Sequence, residues 1–279
     1  MKISFFLVFC FICFNSCLYD VDGFESKLDS RSLTNLDNWE LIWEDNFNNS
    51  IDTRYWTKIP RASTTVPWNR FMSEHENCFE IKNTSLILKA VKNDFLTSDT
   101  ASYLTGGIWT KNKKTIQYGK IEIKARFSKT KGAWPAIWLL SNDRKWPVGG
   151  EIDIVETVNH DNVIYHTVHT PFTLYDPNAS KVINHNVIHI KDKTEYNVYG
   201  LIINEDELLF TINNGISFIY SKSIPEIEDQ FPFSDQKYLL IDMQLGGMAG
   251  EIIPNELPAT MEIDWVRFYE KKDKSLPDY

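Results

Sequence analysis

Cysteine is almost missing from the part of this chain that can fold. Of the four cysteines in 279 residues, Cys10, Cys13 and Cys17 lie in or at the end of the first apolar run, which leaves Cys78 alone. No internal disulfide can form in such a domain, so its stability must come from a core. Basic charge is also scarce: 29 Lys and Arg against 38 Asp and Glu give a net charge of -9. Phosphate binding needs clustered Lys and Arg, so the balance argues against nucleic acid as a partner and favours a neutral ligand. Long hydrophobic runs are lacking too. The run from Ile3 to Phe14 is too short for a bilayer, which needs about 20 apolar residues. Beyond it, no long stretch combines a helical period with capping residues, and no internal repeat, low-complexity tract or composition break divides the chain.

The N-terminus has the pattern of an export signal. Lys2 precedes the apolar run, and Asn15-Ser16-Cys17 closes it. Cys17, directly after a small residue, resembles the lipidated cysteine of a bacterial lipoprotein signal. Phe14 and Asn15 are looser than that pattern, and ordinary cleavage nearby is the alternative. Residues 18–36, rich in Asp, Ser and Asn, read as a flexible tether between a lipoprotein-type signal at 1–17 and a single folded domain at 37–274. The expected location is outside the cytoplasm: a cell-surface or outer-membrane lipoprotein, otherwise a periplasmic or secreted protein. Contact with a membrane is expected only through the lipid, and the domain is expected to be a monomer.

From Trp39 onward, apolar alternation recurs at short intervals between Asn, Gly, Asp and Pro. Leu86 to Val91, Gly119 to Phe127 and Leu208 to Ile212 are examples, the last followed by the turn Asn213-Asn214-Gly215. Many strands without intervening helices predict an all-β fold, a jelly-roll sandwich of two antiparallel sheets. Aromatic residues make up 14% of the chain and several fall in otherwise exposed stretches, so solvent-facing aromatic platforms are expected.

The segment Gly149-Gly150-Glu151-Ile152-Asp153-Ile154-Val155-Glu156-Thr157 sets three acids inside a β-branched apolar run, where unpaired charge is costly. In a regular strand Glu151 and Asp153 share a face and Glu156 points the other way. A bulge within Ile154-Val155 would turn Glu156 back to their side, and bulges favour active sites. Four strand rises of about 3.3 Å place the two glutamate backbones about 13 Å apart. Leaning side chains then bring the carboxyls toward the separation of about 5 to 5.5 Å used in retaining glycoside hydrolysis. Neighbouring carboxylates raise one another's pKa, which suits an ionised nucleophile beside a protonated acid, with Asp153 hydrogen-bonded to Glu151 between them. A metal-binding carboxylate strand or a surface acid run is the alternative, and the interleaved Ile, Ile and Val speak against the latter.

Read as E-x-D-x-x-E, this segment resembles the signature of glycoside hydrolase family 16, in its laminarinase-like branch. Ordered matches surround it: Trp43 to Phe47 resembles the opening strand, Leu104 to Lys111 and Tyr118 to Glu122 the paired strands that follow, Trp134 to Trp138 the strand before the motif, and Met261 to Tyr269 the closing strand. The resemblance covers nearly everything after the tether. It implies a jelly roll whose concave cleft binds a linear oligosaccharide or polysaccharide, with Glu151 as nucleophile and Glu156 as acid/base. No catalytic cofactor is implied. The family also implies a structural calcium ligated by an Asp of the closing strand, which is Asp264 here, although Asn83-Thr84-Ser85 replaces the Gly expected in its partner loop.

Other candidates are weighed against a core role. Trp134, Ala136 and Trp138 share a strand face, so both rings are either sugar-stacking or core. Trp146, in a loop just before Glu151, is favoured as a platform beneath the reacting sugar. His169 falls where family members carry a cleft histidine, with a structural role as the alternative, and His166 is expected to be structural. Asn69 is expected to bind substrate, although Trp68-Asn69-Arg70-Phe71-Met72 lacks the Glu and Gln usual after it in laminarinases. Gly246-Gly247-Met248-Ala249-Gly250 lacks the Trp usual after the glycine pair. Those departures, together with Val158 to Asp161 and Leu239 to Leu245, resemble a gut-bacterial branch acting on galactose-containing O-glycans. The expectation is a retaining endo-β-glycosidase leaning to mucin O-glycan or keratan-type galactosides, with an endo-β-1,3(4)-glucanase as alternative and a non-catalytic glycan-binding lipoprotein as a reading of another class.

Overall fold

The computed structural model describes residues 38–272 apart from 64 and 65. The expected signal, Cys17 and the tether lie outside the described residues.

Two antiparallel sheets hold all the strands of the described chain. The first holds β1 (Trp39–Asp45), β3 (Phe79–Lys82), β4 (Ser85–Lys92), β5 (Tyr103–Thr105), β8 (Gly119–Phe127), β13 (Asn197–Ile203), β14 (Glu207–Ile212), β15 (Gly215–Ser221) and β17 (Ala259–Lys271). The second holds β2 (Thr57–Lys58), β6 (Gly107–Trp109), β7 (Thr115–Ile116), β9 (Ala133–Ser141), β10 (Glu151–Glu156), β11 (Val163–His169), β12 (His185–His189) and β16 (Lys237–Leu245). Within the second sheet the main order is β12-β11-β10-β9-β16-β6-β2, which sets β10 between β9 and β11. The only helix of more than one turn's hydrogen bonding among the described residues, α1 (Pro171–Tyr175), follows His169 and is capped reciprocally by Thr170 and Thr173.

Alternation drives this arrangement. Along β8, Ile121, Ile123, Ala125 and Phe127 are buried while Lys120, Glu122, Lys124 and Arg126 point outward, so one face joins the core and the other meets water. The main core fills the space between the sheets: Ile121, Ile123, Leu201, Phe210, Val266 and Phe268 from the first meet Ile137, Leu139, Ile152, Ile154, Val155, Val168, Leu239 and Ile241 from the second. The predicted hairpin at Asn213-Asn214 joins β14 to β15, and both asparagines adopt positive φ, 50° and 69°, as a two-residue turn matching strand twist demands. Cys78 is buried and unpaired, as expected.

A second apolar cluster lies on the outer side of the second sheet. Ile59 and Met72, from the segment between β2 and β3, pack on Ala136, Trp138, Tyr238 and Leu240, with Trp68 against them. Half of that outer face is therefore roofed, and the half around β10 is left open.

The far end of β10 is tied down by a buried lysine. Nζ of Lys193 donates to Thr157 Oγ1 at 3.3 Å, to the carbonyl of Val158 at 3.1 Å and to that of Asn159 at 2.8 Å. Burial pushes its pKa down to about 8. Removing the ammonium leaves those acceptors buried and unpaired, so Lys193→Met should destabilise the fold by about 2 to 3 kcal/mol. Chemical denaturation of the variant checks this, and an unchanged midpoint would show that the clamp contributes nothing.

Candidate active site

The three acids do share one face, and an inserted residue is the reason. Against β9, Asp153 pairs with Trp138, Val155 with Ile137 and Glu156 with Ala136, so Ile154 has no partner of its own. The register with β11 shifts over the same stretch. Ile152, Ile154 and Val155 all enter the core, which leaves Glu151, Asp153 and Glu156 on the outer, open side of the sheet. The bulge stands where the sequence required it.

Cross-strand neighbours define the surroundings. Glu151 lies between Leu140 and His169, Asp153 between Trp138 and Thr167, and Glu156 between Ala136 and Tyr165. Farther along the same rows, β16 sets Tyr238 beside Leu140, Leu240 beside Trp138, Asp242 beside Ala136 and Gln244 beside Trp134. Trp134 is half-buried, and its Nε1 donates to Glu156 Oε1 at 2.8 Å. Trp146, 52% exposed, stands at the opposite end, its indole near enough to Glu151 to favour the charged carboxylate.

The loop carrying Trp146 is held from below. Arg144 pairs with Asp235 at 2.8 Å, Ser141 Oγ also donates to Asp235, and the buried Lys237 ammonium donates to the Phe233 carbonyl at 2.6 Å. The glycine pair before Glu151 is required by space. A Cβ on Gly149 would lie 2.3 Å from Ser141 Cβ, and one on Gly150, whose φ is 72°, would lie 2.4 Å from Phe233 Cε1.

Electrostatically the cluster resists charge. Burial, then the charge of Glu156, raises Glu151 to about 8, with the Trp146 indole opposing. Burial raises Glu156 to about 7 against the Trp134 bond. Asp153 is pushed well up by burial and by Glu151, Glu156 and Asp242 in turn. Asp242, fully buried, is raised to about 7 by burial although Trp138 Nε1 (3.1 Å) and Gln244 Nε2 (2.7 Å) both donate to it. Burial lowers His169 to about 4. Such a group of carboxyls shares fewer charges than it has members, and keeps protons near neutral pH.

Several expectations need correction. No hydrogen bond joins Asp153 to Glu151; Asp153 Oδ2 is buried without a partner, 3.5 Å from His169 Nε2. Trp138 is not a platform: it is 5% exposed, its N–H is taken by Asp242, and Trp68 meets it edge-on at 5.0 Å. Asn69 is buried, with its amide donating to the Pro60 carbonyl and its oxygen accepting from the Ala62 N–H, so it clamps the roofing loop and presents little to a sugar. Asp264 pairs with Lys124 at 2.7 Å. An ammonium beside that carboxylate supplies the positive charge a calcium would bring, so Asp264 does not fit the expected ion. Its neighbour Glu262 is structural as expected, bound by Arg126 at 2.7 Å and by the Tyr196 hydroxyl at 2.6 Å.

His169 does face the acids, whereas His166 lies in the core, its Nδ1–H donating to Ile154 O (2.6 Å) and its Nε2 paired with Ser217 Oγ (2.8 Å). Asp242, Gln244 and Trp68 were not singled out. The alternation Leu240, Asp242, Gln244 within an apolar strand carried a signal for the first two. Trp68 carried none, because its place depends on a loop closing over β9. Gly247, in the loop that lacks a tryptophan, sits against Trp134, where a Cβ would lie 2.4 Å from Cζ3.

Comparison with known proteins agrees with this geometry. A model described as glycosyl hydrolases family 16 matches residues 68–267. The chain belongs to glycosyl hydrolase family 16. It is 31% identical over 252 residues to a keratan-sulfate endo-1,4-beta-galactosidase from Sphingobacterium multivorum, covering 88% of this chain and 58% of that one. It is also similar to the laminarinase from Flavobacterium sp. UMI-01, with TM-score 0.72 and 26% identity over 83% of this chain and 100% of that one. A structure described with endo-acting O-glycanases of the human gut microbiota that initiate mucin breakdown gives TM-score 0.70 and 27% identity over 82% and 98%. The chain spans about three-fifths or less of the length of the first curated relatives it matches. In this family 16 domain, Glu151-x-Asp153-x-x-Glu156 therefore occupies a bulged strand with an aromatic at each end.

Because Gly150 sets the approach to Glu151, Gly150→Ala should strain the left-handed backbone and push on Phe233. The expected cost is about 1 to 3 kcal/mol of stability. Turnover should fall by about 100-fold if the glutamate moves by about 1 Å. Thermal unfolding and initial rates on any cleaved glycan read the two effects separately.

Proposed function

We propose that the protein is a retaining endo-β-glycosidase that cuts internal β-linkages of an extracellular glycan, with a galactose-containing chain of the keratan or mucin O-glycan type as substrate. The observation that carries the reaction class is the set of three carboxyls on one face of bulged β10. Buried acids have no use in a glycan-binding module, which needs stacking rings and neutral donors. Support for galactose comes from the 31%-identical keratan-sulfate endo-galactosidase and the gut O-glycanase structure. The Gly246–Gly250 loop, which offers Trp134 only a glycine where laminarinases carry a ring nearby, agrees with them. Endo-β-1,3(4)-glucanase is the second reading, favoured by the likeness to laminarinase structures.

In the proposed mechanism Glu151 attacks the anomeric carbon while Glu156 protonates the leaving oxygen. Glu156, then a base, activates the water that releases the sugar from Glu151. Trp134 orients Glu156 and restrains the rise of its pKa. Trp146 and His169 flank Glu151, and Trp146 offers an exposed ring to a sugar face. Burial, together with the charge of Glu156, puts Glu151 above Glu156, the reverse of what these roles require. The roles therefore rest on the family pattern and on strand position, not on the order of titration.

Product analysis of the pure domain with laminarin, barley glucan, keratan and mucin tests the substrate. Keratan or mucin fragments with galactose at the new reducing end are expected; cleavage of the glucans alone would overturn the galactoside reading. Proton NMR of the fresh digest should show the β-anomer first, and an initial α-anomer would refute double displacement.

Glu151→Gln and Glu156→Gln should each lower turnover at least about 100-fold while keeping the fold. The acid must hold its proton in the first step, so activity should fall as pH rises through about 7, the value for Glu156. An aryl glycoside with an activated phenol needs no acid, so Glu156→Gln should still form the glycosyl-enzyme from it and lose that alkaline limb. In Trp134→Phe, where the donor that lowers this pKa is gone, the limb should move to higher pH.

The protein is further proposed to be exported and lipid-anchored at Cys17, the basis being the sequence before the folded domain. Cys17→Ser should shift it from the membrane fraction to the soluble one, and unchanged fractionation would count against the anchor.

A further inference from the structure

Three polar atoms beside the open face converge without bonding one another. Nε2 of His169 lies 3.5 Å from Asp153 Oδ2 and 3.9 Å from Glu151 Oε1. One donor atom from each residue lies within 4.8 Å of the others. Both separations exceed the roughly 2.7 to 3.2 Å of an N–H···O hydrogen bond. Asp153 is 4% exposed, and its Oδ2, aimed into this space, has no partner. A buried oxygen left in that state is costly unless something else occupies the point on which it converges.

The spacing suits one class of occupant. Two ligands of a tetrahedral ion, each about 2.1 Å from it, stand about 3.4 Å apart. The Asp153–His169 separation, 3.5 Å, is close to that, and the Glu151 oxygen, 3.9 Å from His169 Nε2 and within 4.8 Å of Asp153, has to draw in to complete the set. We propose that Glu151, Asp153 and His169 form a site for a zinc-type divalent transition-metal ion, with the fourth position open toward the cleft. The imidazole sets the selectivity: calcium and magnesium favour all-oxygen shells, whereas zinc and cobalt accept nitrogen beside carboxylate.

Occupation has a direct consequence for the proposed reaction. The lone pair that Glu151 gives the metal is withdrawn from attack, and the ion fills space beside the reacting sugar, so metal and glycan exclude one another. The site goes beyond the glycosidase reading and stands on three side chains, so metal binding can be tested without knowing the substrate.

Titration calorimetry of the metal-free protein with zinc chloride, calcium chloride and magnesium chloride tests the site. Zinc should bind with a component that His169→Gln weakens by about tenfold or more, and calcium and magnesium should show no such component. Cobalt(II) chloride added to the unaltered protein should give the intense visible bands of a four-coordinate ion with a nitrogen ligand, a readout independent of how well the variant folds. Zinc binding unchanged in a folded His169→Gln, no saturable zinc binding, calcium bound as tightly as zinc, or only the weak spectrum of six-coordinate cobalt would each overturn the proposal. The absence of saturable binding would leave an imidazole beside two carboxyls as the whole content of the cluster.

Discussion

The second sheet has to keep Ile152, Ile154 and Val155 in the core while presenting Glu151, Asp153 and Glu156 to solvent, and strict alternation cannot do both. One unpaired residue, Ile154, resolves the conflict by letting two consecutive apolar side chains face inward. Without it the register would carry Glu156 opposite Pro135 and Ile164 and point it between the sheets. Burial there of an unpaired carboxylate would cost more than a domain of this kind can offset. The acid constellation and the core are thus two consequences of a single backbone irregularity.

Much of the surrounding structure can be understood as holding that strand in place. At its start, Gly149 and Gly150 fit between Ser141 and Phe233, and the Arg144–Asp235 pair with buried Lys237 secures the layer beneath. At its end, Lys193 gathers the carbonyls of Val158 and Asn159. From inside, His166 reaches from β11 to the carbonyl of the bulged Ile154 itself at 2.6 Å. These groups sit outside the cleft, and Arg144, Lys237, Lys193 and His166 each donate to a backbone carbonyl of the bulge or the adjoining loops.

Indole N–H groups serve the acids in a consistent way. Trp134 donates to Glu156 and Trp138 to Asp242, and the Trp146 indole favours the charged form of Glu151. An indole gives one hydrogen bond without adding charge, so it steadies a carboxyl in a low-dielectric site while leaving it free to be protonated. A lysine in the same place would hold the carboxylate ionised and suppress the acid function.

The sequence by itself determined the class of fold, the catalytic motif and the need for a bulge, because alternation and the cost of buried charge are local properties of a strand. The hairpin at Asn213-Asn214 and the isolation of Cys78 were legible for the same reason. Tertiary structure alone decided which outward residues stay open. Trp138 and Trp134 have equivalent places on β9, yet Ile59, Met72 and Trp68 cover the first and leave the second beside Glu156. Asn69 became a loop clamp and Asp264 a partner of Lys124 through contacts set by how loops and strands meet. Asp242 joined the acids through two strands paired about a hundred residues apart in sequence. No periodicity records such encounters, since they depend on which distant segments the folded core brings to the same side of a sheet.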